Sequence, residues 1–109
     1  MAERILSTAL LKNFEQHLVF EEKSKITIEK YLRDTRKFQN YTEGTPITKE
    51  LAMSYKSFLL EKGYAPRSIN SMLASLNSLL RYLKWNDCMV INLRTQYQTY
   101  CSLEKELTR

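Results

Sequence analysis

The sequence predicts an all-α protein, a compact bundle of four or five helices followed by an extended C-terminal tail. Three observations support this. The 109 residues contain only two Gly and two Pro, too few for the many turns of an all-β protein. Apolar residues recur at helical spacing in four separate segments. The composition, 43% hydrophobic and 27% charged, is that of an ordinary globular chain, and its length suits one domain with its own core.

The first helix is expected over about Ser7 to Glu22, where Leu10, Leu11, Phe14 and Leu18 share one face. A break is expected at Ser24 to Ile26. Thr27 then reads as the N-cap of the second helix, because its hydroxyl can accept from a first-turn N–H. The apolar stripe of that helix is Ile28, Tyr31, Leu32, Thr35 and Phe38, with Tyr41 at its end. Gly44, Thr45 and Pro46 stop it. Thr48 caps a third helix with the stripe Leu51, Tyr55, Phe58 and Leu59, and Gly63 ends it. Pro66 opens the fourth, where the first turn needs no N–H. Ile69, Met72, Leu73, Leu76, Leu79, Leu80 and Leu83 fall within an arc of about 120°, the clearest amphipathic pattern in the chain. From about Asn86 the periodicity fades, and Met89 to Tyr100 reads as extended. The expected division is a helical domain over 1–86 and a linker over 87–109.

No run of about 18 apolar residues occurs, so no membrane span is expected. No signal peptide is expected either, and Cys88 and Cys101 read as free thiols of a cytoplasmic protein. No metal site or cofactor is expected: there is no zinc spacing and no phosphate-cradling Gly loop.

The net charge is +5, unevenly spread. Residues 24–43 carry +2 and residues 62–86 carry +4, and no acid lies between Glu61 and Asp87. A basic stretch of that length suggests a polyanionic partner; the plainer alternative is a solvated basic face. The outward face of the fourth helix holds Arg67, Asn70, Ser71, Ala74, Ser78 and Arg81. Small side chains allow close approach to a phosphate backbone, Ser and Asn can donate to its oxygens, and Arg can grip them bidentately. The outward face of the second helix holds Lys30, Arg33, Arg36, Lys37 and Asn40, with Glu29 and Asp34 flanking. Whether these two faces adjoin is not readable from the sequence.

The segment from Ser24 to Phe38, SKITIEKYLRDTRKF, resembles the opening of the core-binding domain of tyrosine recombinases and phage integrases. Ile47-Thr-Lys-Glu50 is similar to that family's lead into the third helix, and Gly63-Tyr-Ala-Pro-Arg-Ser-Ile-Asn70 to its lead into the fourth. Asn92 to Tyr100 and Glu106 to Arg109 resemble the linker of integrases from Gram-positive phages and conjugative transposons. Ala65 departs from the pattern, where a small hydroxyl residue is common, and so does Asn92-Leu93, where Asn-Pro is usual.

The resemblance implies a SAM-like integrase core-binding fold that closes around double-stranded DNA together with a catalytic domain of the same chain, here expected beyond Arg109. It also implies protomer contacts in a recombination synapse through the first helix. The DNA-contacting set is expected to be Lys25, Thr27, Lys30, Arg33, Lys37, Arg67, Ser68, Asn70, Ser71, Arg81 and Arg94. Catalysis is not expected within these residues. His17 is the one His and is followed by Leu18-Val19-Phe20, so the family's H-x-x-R motif is missing, and Tyr31, Tyr55 and Tyr82 read as core. The rival readings are a helical protein-interaction module without a DNA role and a helix-turn-helix regulator.

Overall fold

The computed structural model describes residues 4–93, which form four α-helices, α1 (Thr8–Phe20), α2 (Lys25–Thr42), α3 (Lys49–Glu61) and α4 (Pro66–Tyr82), followed by a 3₁₀ turn, Asn86–Cys88. Hydroxyl caps start the first three helices. The side-chain oxygens of Ser7, Ser24 and Thr48 accept from the backbone N–H of Leu10, Thr27 and Leu51 at 3.2, 3.2 and 3.1 Å, each satisfying a first-turn donor that has no partner inside the helix. The cap of α2 is therefore Ser24 rather than Thr27. The Ser24 hydroxyl also donates to the Thr27 hydroxyl at 2.9 Å, so the expected break at Ser24 to Ile26 is helix from Lys25 onward. α4 starts on Pro66 with Ala65 in the cap position and no side-chain cap. The turn between α3 and α4 passes through Gly63 at φ +89°, a left-handed conformation that costs glycine little.

The apolar stripes converge on one core. Leu11, Phe14 and Leu18 of α1 meet Leu32 and Phe38 of α2, Ala52, Tyr55 and Leu59 of α3, and Ile69, Leu73, Leu76, Leu79 and Leu80 of α4, all buried. α4 is central, packing against both α2 and α3. Aromatic rings fill the gaps: Phe38 meets Tyr55 edge-on at 4.8 Å, and Tyr41 and Phe58 pack beside them. His17 lies half-buried at the edge of α1, over Tyr82 at 4.6 Å. The core continues past Asn86, since Cys88 and Val90 are buried. The N-terminal segment closes the bundle: the Ile47 N–H donates to the Arg4 carbonyl at 2.7 Å, and the Arg4 guanidinium donates to the Asp87 carboxylate at 2.9 Å. That pairing holds the Asp87 carboxyl below its ordinary range. No helix among the described residues is long and apolar enough to cross a membrane.

Tyr55 is 1% exposed, and its hydroxyl finds no hydrogen-bond partner among the described residues. Burial, with smaller contributions from Asp34 and Tyr64, raises its ionisation far above the usual tyrosine range. Two outcomes follow for urea unfolding. Phe38→Ala should cost about 3–5 kcal/mol, the usual loss for a buried aromatic. Tyr55→Phe should be neutral or stabilise by about 1 kcal/mol, because an unsatisfied buried hydroxyl is removed. With the phenol's folded-state value raised, the native protein should lose stability as pH rises above about 10, where the unfolded phenol ionises, and Tyr55→Phe should abolish that part of the loss.

Candidate nucleic-acid interface

The basic faces of α2 and α4 adjoin. Between the helices lies an open groove of about 590 Å³, lined by Lys30, Arg33, Asp34, Arg36, Lys37 and Asn40 of α2, by Tyr64 of the preceding turn, and by Ser68, Ser71 and Met72 of α4. Besides their shared apolar core, the two helices are joined by a polar tie at the groove wall. Asp34 is 7% exposed, and its Oδ2 accepts from Lys30 Nζ at 2.8 Å and from the Ser75 hydroxyl at 2.7 Å. Lys30 Nζ also donates to the Ser71 carbonyl at 3.1 Å and to Ser75 Oγ at 2.9 Å. A buried carboxylate is tolerable when it is paired and hydrogen-bonded, as Asp34 is through Oδ2, while Arg33 Nε stands 3.9 Å from its Oδ1. The acid expected to flank the α2 ridge is therefore a buried bridge to α4, and Lys30 is committed to it.

Most of the remaining cations are open to solvent, and Lys37 is half-buried. The Arg33 side chain is 72% exposed, with its Nε 3.9 Å from Asp34 Oδ1. Lys37 lies over the Tyr64 ring at 5.3 Å, a cation–π contact across the groove mouth. Arg36, Arg67 and Arg81 are exposed, and none of them forms an ion pair among the described residues.

At about 100° per residue, α4 divides into four stripes. Ile69, Leu73, Leu76 and Leu80 face the core, and Ser68, Ser71, Met72 and Ser75 lie toward α2. Arg67, Ala74 and Arg81 are exposed on the outer stripe. Asn70 and Asn77 form the fourth stripe, where each binds the backbone of the C-terminal segment.

Of the residues expected to contact DNA, the groove brings together Lys30, Arg33, Lys37, Ser68 and Ser71. Arg67 and Arg81 lie on the adjoining outer stripe. Lys25 is exposed on the first turn of α2, away from the groove lining. The Thr27 hydroxyl is bonded to Ser24. Both polar atoms of the Asn70 side chain are bonded to the backbone of Leu93. Arg94 lies outside the described residues. Arg36, Asn40, Tyr64 and Met72 line the groove without having been in the expected set. Arg36 and Asn40 had been placed on the correct face of α2, whereas Tyr64 carried no signal beyond an aromatic beside Gly63.

Asp34→Ala should leave the Lys30 ammonium without its buried partner. Because Lys30 is one-third exposed, the cost should be about 2–3 kcal/mol, below that of a fully buried pair. Arg33→Ala should stay within about 0.5 kcal/mol of the parent. Paired chemical denaturation curves would check both.

Comparison with known proteins agrees with the all-helical fold. The family model described as phage integrase, N-terminal SAM-like domain, matches residues 11–87. Tyrosine recombinase XerA of Pyrococcus horikoshii is 32% identical over 80 residues, covering 73% of this chain and 27% of the relative. Tyrosine recombinase XerA of Pyrococcus furiosus is 33% identical over 87 residues, covering 80% of this chain and 30% of the relative. The chain thus spans less than a third of the length of these relatives. No solved structure matches it significantly. An all-helical bundle, matched over most of its length by this family model and by two tyrosine recombinases, belongs to the phage integrase N-terminal SAM-like domain family.

Proposed function

We propose that this domain binds double-stranded DNA through the α2–α4 face, as the core-binding half of a site-specific tyrosine recombinase whose catalytic domain lies beyond Arg109. It would act in the cytoplasm, and by itself it would carry no catalytic step. The observation that carries this reading is the groove wall. The one carboxylate at the groove is buried and neutralised by Lys30, while Arg33 and Arg36 stay exposed and Lys37 half-buried along one side.

Each group has a part in such a grip. Arg33, Arg36, Arg67 and Arg81 can bind phosphate oxygens bidentately. Ser68 and Ser71, at the groove edge, can donate hydroxyls at close range, and the small Ala74 on the outer stripe leaves room for a sugar-phosphate strand. The uncapped first turn of α4 adds free N–H groups and a partial positive charge at the same end. Contacts of these kinds position a duplex more than they read its bases. Lys30 supports the face by holding α2 and α4 together, rather than as a phosphate ligand.

The isolated domain should bind labelled duplex with a Kd of about 10⁻⁴ to 10⁻⁶ M at physiological salt, as for largely non-specific electrostatic binding. Arg33→Ala, Arg36→Ala and Arg67→Ala should each lower the slope of log affinity against log salt by about 1, one lost phosphate contact apiece. The triple variant should fold normally. If it binds duplex as tightly as the parent, or if DNA-induced amide shifts avoid α2 and α4, the proposal fails and a protein partner becomes the better reading.

A further inference from the structure

Residues 89–93 leave the 3₁₀ turn and run between α3 and α4, held there by their main chain. Lys49 Nζ donates to the Met89 carbonyl. Lys56 Nζ donates to the Ile91 carbonyl at 2.7 Å. From α4, the Asn77 amide donates to the Val90 carbonyl at 2.9 Å and accepts from the Val90 N–H at 3.0 Å. Asn70 repeats this with Leu93, donating to its carbonyl at 3.0 Å and accepting from its N–H at 2.6 Å. Val90 inserts into the core, and Met89 and Leu93 pack at its margin, while Ile91 is 77% exposed.

We propose that α3 and α4 form a seat that reads the backbone of residues 89–93 and so sets where the chain leaves the domain, with Asn70 and Asn77 as positioning residues. The spacing fits. Asn70 and Asn77 are seven residues apart on one stripe of α4, about 10.5 Å along the axis. Val90 and Leu93 are three residues apart, about 9 Å at the rise of a polyproline-type chain, whose three-residue turn brings both to the same side. Each Asn presents a donor and an acceptor together, as a neighbouring strand would, so the seat reads main chain while the Val90 side chain anchors it in the core. The clipped segment runs antiparallel to α4 and reaches Leu93 beside Asn70, at the end of the helix that carries Arg67 and Ser68. Whatever follows Leu93 therefore starts at the edge of the basic face with a defined direction. A free tether at this point would leave an attached domain to search for its orientation, at an entropic cost that grows with linker freedom. This inference does not depend on the DNA reading, because the seat is a property of the domain alone.

Amide hydrogen exchange on the 109-residue chain, without DNA, tests it. The Val90 and Leu93 amides should exchange at least about tenfold more slowly than those of Ile91 and Asn92, the effect expected of one net hydrogen bond. Asn70→Ala with Asn77→Ala should erase that difference. Residual dipolar couplings of residues 90–93 should then shrink toward zero while those of the helices stay unchanged, a readout that simple destabilisation would not produce. Lys49→Ala with Lys56→Ala should shift the carbonyl carbons of Met89 and Ile91 yet leave Val90 and Leu93 protected. If the double Asn variant unfolds, Asn70→Ala alone serves, with selective loss of protection at Leu93 as the supporting result. Equal exchange across residues 90–93 in the parent, or couplings unchanged in the Asn variant, would overturn the proposal.

Discussion

One buried carboxylate ties α2 to α4, beside the apolar core that the two helices share. Asp34 lies between the helices with Lys30 and Ser75 bonded to the same oxygen, and Lys30 reaches on to the Ser71 carbonyl. This tie links a side chain of α2 to both backbone and side chain of α4, so it specifies a relative setting of the helices that apolar packing alone would leave looser. It also sets the charge of the groove. An exposed Asp34 would cancel one of the neighbouring cations; buried and paired, it leaves Arg33, Arg36 and Lys37 to dominate the potential there.

α4 extends that arrangement to the whole domain. One stripe joins the core, one the tie to α2, one seats the C-terminal segment and one remains open. Its outward residues are small or cationic because bulk is needed only toward the core and carboxylates appear nowhere between Glu61 and Asp87. An element engaged on three sides is a rigid platform, and side chains on rigid elements hold a ligand more accurately than side chains on loops. The open stripe thus inherits its order from contacts made elsewhere on the same helix.

The sequence alone determined the helices, their order and most of the core. Leu11, Phe14, Phe38, Tyr55, Leu73 and Leu76 were legible because burial on a helix imposes a period near 3.6, and that period survives in one dimension. The cap at Thr48 and the start at Pro66 were legible because capping chemistry is local. Thr27 misled for the same reason: two hydroxyl residues stand close together, and either could cap. Only the coordinates show Ser24 doing so, with Thr27 as its hydrogen-bond partner.

The tertiary structure decided what each polar residue does. Lys30, Asp34 and Asn70 read in one dimension as outward polar residues, since spacing gives a side chain's direction but not its partner. Folding brings α4 alongside residues more than twenty positions distant, and the nearest long-range partners then claim these groups: Lys30 for Ser71 and Ser75, and Asn70 for Leu93. Arg36, Arg67 and Arg81 kept their outward reading because they form no ion pair among the described residues, and Arg33 kept its own because it stays 72% exposed at 3.9 Å from Asp34. The periodicity of a sequence records which faces are buried, whereas hydrogen bonds between distant segments are settled only when those segments meet.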